Sequence, residues 1–197
     1  MRESSEFVSQ LREAVASGEE QSMEALAYQV GTMVLEEGTF PEECFDAILA
    51  VLPDTGFLKM NGAWKLLRVF EENWDELSEH QRADLLPALE RNYDSFGDWM
   101  ACFVISGILG ELYRDTRALA SLRRLKNSKN ENARSFVPHG FEHIALEAQQ
   151  QDLAKHAYQE LVAMATDGSA KVRSEVKKSL SRIEKKGIGR VGEGNKD

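Results

Sequence analysis

The sequence predicts an all-α fold, an α-α superhelix of stacked helical hairpins with about nine or ten helices. Three observations predict it. Apolar residues recur at three- and four-residue spacing along most of the 197-residue chain, and only 4 prolines interrupt them. Helix starts fall in two interleaved series, near residues 20, 59, 98, 131 and 170 and near 40, 79, 115 and 152, so hairpins recur every 33 to 39 residues or so. Lastly, the stretches Asn130 to Pro138 and Ser169 to Lys177 match each other when one is shifted by 39 residues.

The elements follow in order. Residues 4–16 place Phe7, Leu11, Ala14 and Val15 on one helical face, with Ser4 or Ser5 as a cap and Gly18 as the close. Residues 20–36 carry Met23, Leu26, Ala27, Val30, Val34 and Leu35, and Gly38 stops them. Thr39 then caps a helix with Pro41 in its first turn, and Glu42 and Glu43 favour the positive end of the dipole. Cys44, Phe45, Ile48, Leu49 and Leu52 are its apolar residues, and Pro53-Asp54-Thr55-Gly56 is a turn.

Residues 60–74 show Trp64, Leu67, Val69, Phe70 and Trp74 at helical spacing. Ser78 with Gln81 reads as a capping box before Leu85, Leu86, Leu89 and Tyr93, and Pro87 should kink that helix or delay its start. Residues 94–98 break the pattern, and residues 99–113 form a strongly apolar helix in which Gly107 and Gly110 suit close packing. Asp115-Thr116 caps a helix with Leu119, Leu122 and Leu125 inward. Residues 131–147 form a helix kinked near Pro138 and Gly140, Asp152 caps the next, and residues 170–185 make the last. Residues 1–186 are expected to form a single helical-repeat domain and 187–197 a disordered tail.

In the two matching stretches Arg134 falls on Arg173, Val137 on Val176, Phe141 on Leu180 and Ile144 on Ile183. A small or polar start, an apolar-Arg pair and apolar residues at helical spacing resemble the HEAT family of helical repeats. The resemblance covers residues 130–148 and 169–184. It implies that Arg134 and Arg173 begin the second helix of a hairpin and join a ladder with acids of neighbouring repeats. Asn130 and Ser169 stand where the family carries Asp, a departure from the pattern that a regular ladder needs.

Charge is uneven. Residues 1–98 hold 21 acids and 7 bases, a balance of −14, and residues 99–197 hold 12 acids and 17 bases, a balance of +5. The acidic half repels nucleic acid and suits a basic protein surface. Cys44 and Cys102 have no zinc-type spacing and read as buried free thiols of a reducing compartment. No stretch resembles a signal peptide or a membrane span, so a soluble, cytoplasmic protein is expected.

The densest candidate site is Glu71, Glu72, Trp74, Asp75, Glu76 and Glu79, joined by Asp98 and Trp99. Glu71 and Glu72 end a helix, where carboxylates oppose the dipole, so stability alone does not account for them. Trp74 and Trp99 read first as core residues, and as the alternative either would anchor a partner there. His139 and His143, at i and i+4, have a spacing that can hold zinc, but HExxH is absent. No third ligand stands at useful spacing, only Glu147 or His156 by approach in space, so no metal is expected and the pair reads as half-exposed histidines. The remaining carboxylate pairs are adjacent on helices and diverge. No phosphate-binding glycine motif, GxSxG or catalytic triad is present, so neither an enzyme nor a cofactor is expected.

The preferred reading is a non-catalytic protein-binding module. A small acidic helical protein of this kind is similar to the immunity proteins of bacterial toxin systems, which implies a basic toxin domain, such as a nuclease, as partner. The alternative uses the basic residues of 114–129 and of the last helix. It is a HEAT-like nucleic-acid-binding protein or DNA glycosylase.

Overall fold

The computed structural model describes the backbone of residues 2–186 and the side chains of residues 6–186. The predicted caps Ser4 and Ser5 and the predicted tail 187–197 lie outside these side chains and this backbone. Among the described residues the protein is all-α, with no strand and twelve α-helical segments, two of them very short. They are α1 (Arg2–Ser17), α2 (Glu20–Glu37), α3 (Glu42–Val51), α4 (Thr55–Lys59), α5 (Ala63–Glu72), α6 (Glu79–Asn92), α7 (Trp99–Gly107), α8 (Thr116–Leu125), α9 (Glu131–Arg134), α10 (Val137–Glu147), α11 (Gln151–Ala163) and α12 (Ala170–Lys185). No helix among these residues is long and apolar enough to cross a membrane. The chain divides into two compact units, Met1–Ile105 and Ser106–Asp197, and the division falls within α7.

In the first unit α2 packs along α5, and α3 packs on α1 and α6. Gly38 closes α2 at φ 69°, and its N–H donates to the Val34 carbonyl at 2.8 Å. The left-handed φ there suits glycine, since a residue with a Cβ is strained in that conformation. Between the two rows Phe40 and Phe70 stack at 5.5 Å, and Phe45 meets Phe70 edge-on at 5.8 Å. All three rings are buried, which contributes about 1.5–3 kcal/mol each. Leu35, grouped by its spacing with the apolar residues of α2, turns out to solvent, because it stands one residue, or about 100°, past the buried Val34.

Several predicted boundaries move. Thr39 does not cap α3, which begins after Pro41 with no side-chain cap. Proline's fixed φ and missing N–H already suit that entry. The turn at Pro53–Gly56 is the start of α4: Asp54 accepts hydrogen bonds from the amides of Gly56 and Phe57 at 2.7 and 3.3 Å. Pro87 neither delays nor interrupts α6, which runs unbroken from its Ser78–Gln81 capping box.

In the second unit the segment Ile108–Tyr113 widens into a π-helix, with the Arg114 N–H reaching the Leu109 carbonyl five residues back at 3.4 Å. This segment packs on α10, and α10 packs on α12, while α8 packs on α11. Gly110 and Gly140 let the two backbones touch: a Cβ on Gly110 would lie 2.6 Å from the Gly140 Cα. The predicted kink at Pro138 and Gly140 occurs earlier, at Ser135 and Phe136, which separate α9 from α10. Pro138 sits in the first turn of α10, where its missing donor is harmless. Asp152 lies in the first turn of α11 and does not cap it; Gln150 precedes the helix without a side-chain bond.

Candidate functional site

The acidic segment that follows α5 is held in place. Phe40 donates its N–H to the Glu76 carbonyl at 3.0 Å. Gln81, besides closing the capping box, donates to the Phe40 carbonyl at 3.2 Å and to Glu42 at 3.0 Å. Arg82 donates to the carbonyls of Trp74 and Asp75 at 2.7 and 3.3 Å and lays its guanidinium 4.9 Å from the Trp74 ring centre. Leu77 is buried beneath. Asp75, Glu76 and Glu79 are thus displayed on a fixed backbone, so a partner meeting them loses little ordering entropy.

The predicted site residues separate into two kinds. Glu71 and Glu72 both face Arg68, at 3.9 and 2.8 Å, and Asp75 and Glu79 are exposed. Trp74 is partly covered by Arg82 and is part of the support of the loop. Asp98 uses both carboxylate oxygens on backbone amides, those of Gly62 at 3.1 Å and Met100 at 2.9 Å, and so ties the entry of α5 to that of α7. Trp99 is 55% exposed. Counts alone leave this unit strongly acidic, since two of its few bases, Lys65 and Arg68, are engaged by Glu20, Glu24, Glu71 and Glu72.

Spacing alone had not pointed to a cleft of about 680 Å³ between α2 and α5. Tyr28 and Leu35 on α2 and Trp64 on α5 line it, with Glu20, Glu24 and Glu72 among its carboxylates. The exposure of an apolar residue at a helical position is decided by what the neighbouring helix covers, which no single-sequence pattern contains.

In the second unit several of the charges pair internally. Arg134 clasps Asp167 through Nε and Nη2 at 2.9 and 3.2 Å and donates Nη1 to the Ser128 carbonyl at 2.5 Å. Arg173 donates to the Asp167 carbonyl at 2.6 Å, the position 39 residues beyond Ser128. The two arginines therefore brace equivalent turns; Asp167 gives its carboxylate to Arg134, while Arg173 meets the carbonyls of Asp167 and Gly168. Partial burial raises the Asp167 carboxyl, but Arg134 and the Ser169 amide outweigh it and hold it below the usual range. Glu160 behaves likewise: burial raises it, and Lys126 and Arg123 together bring it below its ordinary value. Further pairs are Arg182 with the buried Glu142 at 2.9 Å and Arg114 with Glu147 at 3.2 Å.

His139 and His143 meet edge to face at 4.6 Å. His143 Nδ1 lies 3.3 Å from Glu147 Oε1, so Glu147 does approach the pair, while His156 is exposed. Among the described residues no group of three or more His, Cys, Asp or Glu side chains is arranged to hold a metal ion. Burial, then His143 and Arg182, lower the His139 pKa from 6.5 to about 4. The unfolded chain therefore binds a proton at this site between pH 6.5 and 4 that the folded chain refuses, and stability falls as pH drops through that window. The expected loss is about 2 kcal/mol at pH 4.5, discounted for the half-buried ring. Urea denaturation from pH 7 to 4.5 should show it, and His139→Gln should flatten that step while leaving the further loss at lower pH that Glu160 and Asp167 cause.

Cys44 and Cys102 are buried free thiols, as their surroundings in sequence suggested. Burial, with Glu37 and Glu43 nearby, raises the Cys44 pKa to about 11, which keeps it an unreactive thiol.

No family model, curated protein or solved structure matches this chain. The resemblance to HEAT repeats therefore stands on the two internally similar stretches alone.

Proposed function

We propose that this protein is a non-catalytic protein-binding module whose acidic first unit engages a basic surface of a partner. The observation that carries the reading is the pinned acidic loop after α5. Carboxylates at Glu71 and Glu72 oppose the helix dipole, and the loop bearing Asp75 and Glu76 is braced by Phe40, Gln81 and Arg82. Arg68 offsets part of the cost to the helix through its pairs with Glu71 and Glu72, while Asp75 and Glu79 stay exposed. Carboxylates fixed in this way suit electrostatic recognition, with fast association and strong salt dependence. The stacking of α-helical hairpins in a HEAT-like solenoid is part of the same proposal. Its support is the 39-residue correspondence of Arg134 with Arg173 and of the turns they brace.

Among basic partners, a bacterial toxin domain is the reading that the similarity to immunity proteins favours. A reversible acidic cover over a nuclease would be selected for charge complementarity rather than for chemistry. The nucleic-acid alternative is weakened by the second unit's own pairing. Arg114, Arg123, Lys126, Arg134 and Arg182 all meet carboxylates of this chain, so the exposed bases left to that alternative lie mainly on α12, at Lys171, Arg173, Lys177, Lys185 and Lys186.

Affinity capture from the source cell, paired with a mobility-shift assay on duplex DNA, tests the reading. The expected result is a basic protein retained at low salt and released at high salt, with no DNA shift at micromolar protein. A DNA shift in low salt without a protein partner would favour the alternative.

A further inference from the structure

The cleft between α2 and α5 supports a more specific statement, which rests on the reading of the first unit as a surface for a basic partner. Three observations meet there. Tyr28 and Leu35 are 80% and 84% exposed and stand two helical turns apart on α2, with Trp64 on the other wall. Gly31 lies between them, where a Cβ would meet nothing within 4 Å and φ is not positive. Neither backbone geometry nor packing within the chain calls for glycine there, yet glycine is a poorer helix former than alanine. A strip of bare backbone in a cleft permits close approach of a foreign side chain.

The third observation is charge. α2 and α5 run in the same direction: Gly62 meets Glu20 at one end, and the cleft joins Leu35 and Glu72 at the other. α2 ends in Glu36 and Glu37 and α5 in Glu71 and Glu72, with no base in the last turn of either. At that end Glu72 lines the cleft, and the negative C-terminal ends of α2 and α5 lie beside it. The bases lining it, Lys65 and Arg68, already bridge Glu20, Glu24, Glu71 and Glu72.

We propose that this cleft seats an amphipathic helix of a partner protein. Its apolar side chains pack on Tyr28, Leu35 and Trp64 over Gly31, and its lysines or arginines reach the carboxylates at the shared C-terminal end. The α2 wall runs from Glu20 to Leu35, roughly 22 Å at 1.5 Å per residue, which accommodates about four turns of a docked helix. Anchors at i, i+3, i+4 and i+7 of that helix fit such a groove.

Gly31→Leu fills the cleft floor with a better helix former, so its thermal midpoint should equal or exceed that of wild type. The probe is a fluorescein-labelled synthetic Leu/Lys amphipathic helix of about 18 residues, with two controls. One control has the same composition in scrambled order, and the other replaces Lys by Glu. The patterned peptide should bind wild type at least about tenfold more tightly than either control. Gly31→Leu should weaken it by at least about tenfold, and Glu71→Lys with Glu72→Lys should weaken it too.

Absence of binding, equal binding of the scrambled peptide, or equal affinity for Gly31→Leu overturns the proposal. If charge reversal weakens the peptide and Gly31→Leu does not, the cleft fails while the acidic reading stands. If Gly31→Leu alone matters, the acidic reading fails and the proposal falls with it. Sedimentation adds one more arm: a dimer that Gly31→Leu dissociates would make a second copy the occupant and overturn the partner helix.

Discussion

Gly110→Ala should destabilise the second unit by about 3 kcal/mol or more, the largest effect expected of any single methyl group in this protein. The added Cβ would overlap the carbonyl oxygen of Gly140 and lie 2.6 and 2.8 Å from its Cα and C atoms. All three are backbone atoms of α10, so no rotamer change can relieve the overlap. Either the π-helical segment 108–113 or α10 must shift, and α10 is itself packed against α11 and α12. Protein interiors are dense enough that such a shift spreads into the neighbours. Gly140→Ala should cost less, because its nearest obstacle at 2.7 Å is the end of the Leu122 side chain, although the Ser106 carbonyl at 2.9 Å still resists. Urea midpoints of the two variants measure the difference. A loss below about 1 kcal/mol for Gly110→Ala would contradict the backbone contact.

Arg134→Ala should destabilise the same unit by about 2–3 kcal/mol at pH 7, somewhat less than a fully buried pair because both side chains keep some solvent. The guanidinium satisfies both oxygens of Asp167 and the Ser128 carbonyl at once. Its removal leaves a mostly buried carboxylate with only the Ser169 amide and the more distant Arg173 to stabilise it. Arg134→Lys should recover only part of the loss, since an ammonium cannot reproduce the two-pronged contact and also reach Ser128. The sign with pH follows from Asp167. Its folded pKa is depressed, so the pair stabilises above the unfolded carboxyl value and fades as acid titrates through the folded one. The stability gap between wild type and Arg134→Ala should therefore narrow in strong acid. A double-mutant cycle with Asp167→Asn that returned no coupling would remove the clasp from the account.

Much of the helical order was legible because it rests on local chemistry. Ser78 with Gln81, Asp115 and Gly38 each satisfy orphan backbone groups within a few residues, and each acts as its spacing implies. The misread boundaries share a cause. Thr39 and Asp152 are competent caps placed one or two residues from where the chain enters the helix, and tertiary packing decides which residue that is. Asp54 looked like part of a turn because a short helix and a turn use the same residues. Arg134 and Arg173 were visible as equivalents, but the acid that completes the clasp, Asp167, lies 33 residues beyond Arg134 rather than just before it.

The candidate site was legible only as charge. Glu71 to Glu79 stands out in composition, whereas the braces from Phe40 and Arg82 come from residues of another element and a later turn. Asp98 and Trp74 looked like surface groups and serve as ties between segments. The α2–α5 cleft was hidden, since Tyr28 and Leu35 carry the same hydrophobic label as core residues and only the placement of α5 exposes them.

The most direct measurement of the central claim is the affinity of the captured basic partner for wild type and for Glu71→Lys/Glu72→Lys/Asp75→Lys/Glu76→Lys, at low and high salt. The four changes leave the core intact. The gain against the α5 dipole offsets the lost Arg68 pairs with Glu71 and Glu72, so the variant should melt within a few degrees of wild type. The account predicts an affinity at least about a hundredfold weaker for the variant in low salt, with the difference shrinking as salt rises. A partner that binds both proteins equally, with no salt dependence, would contradict it.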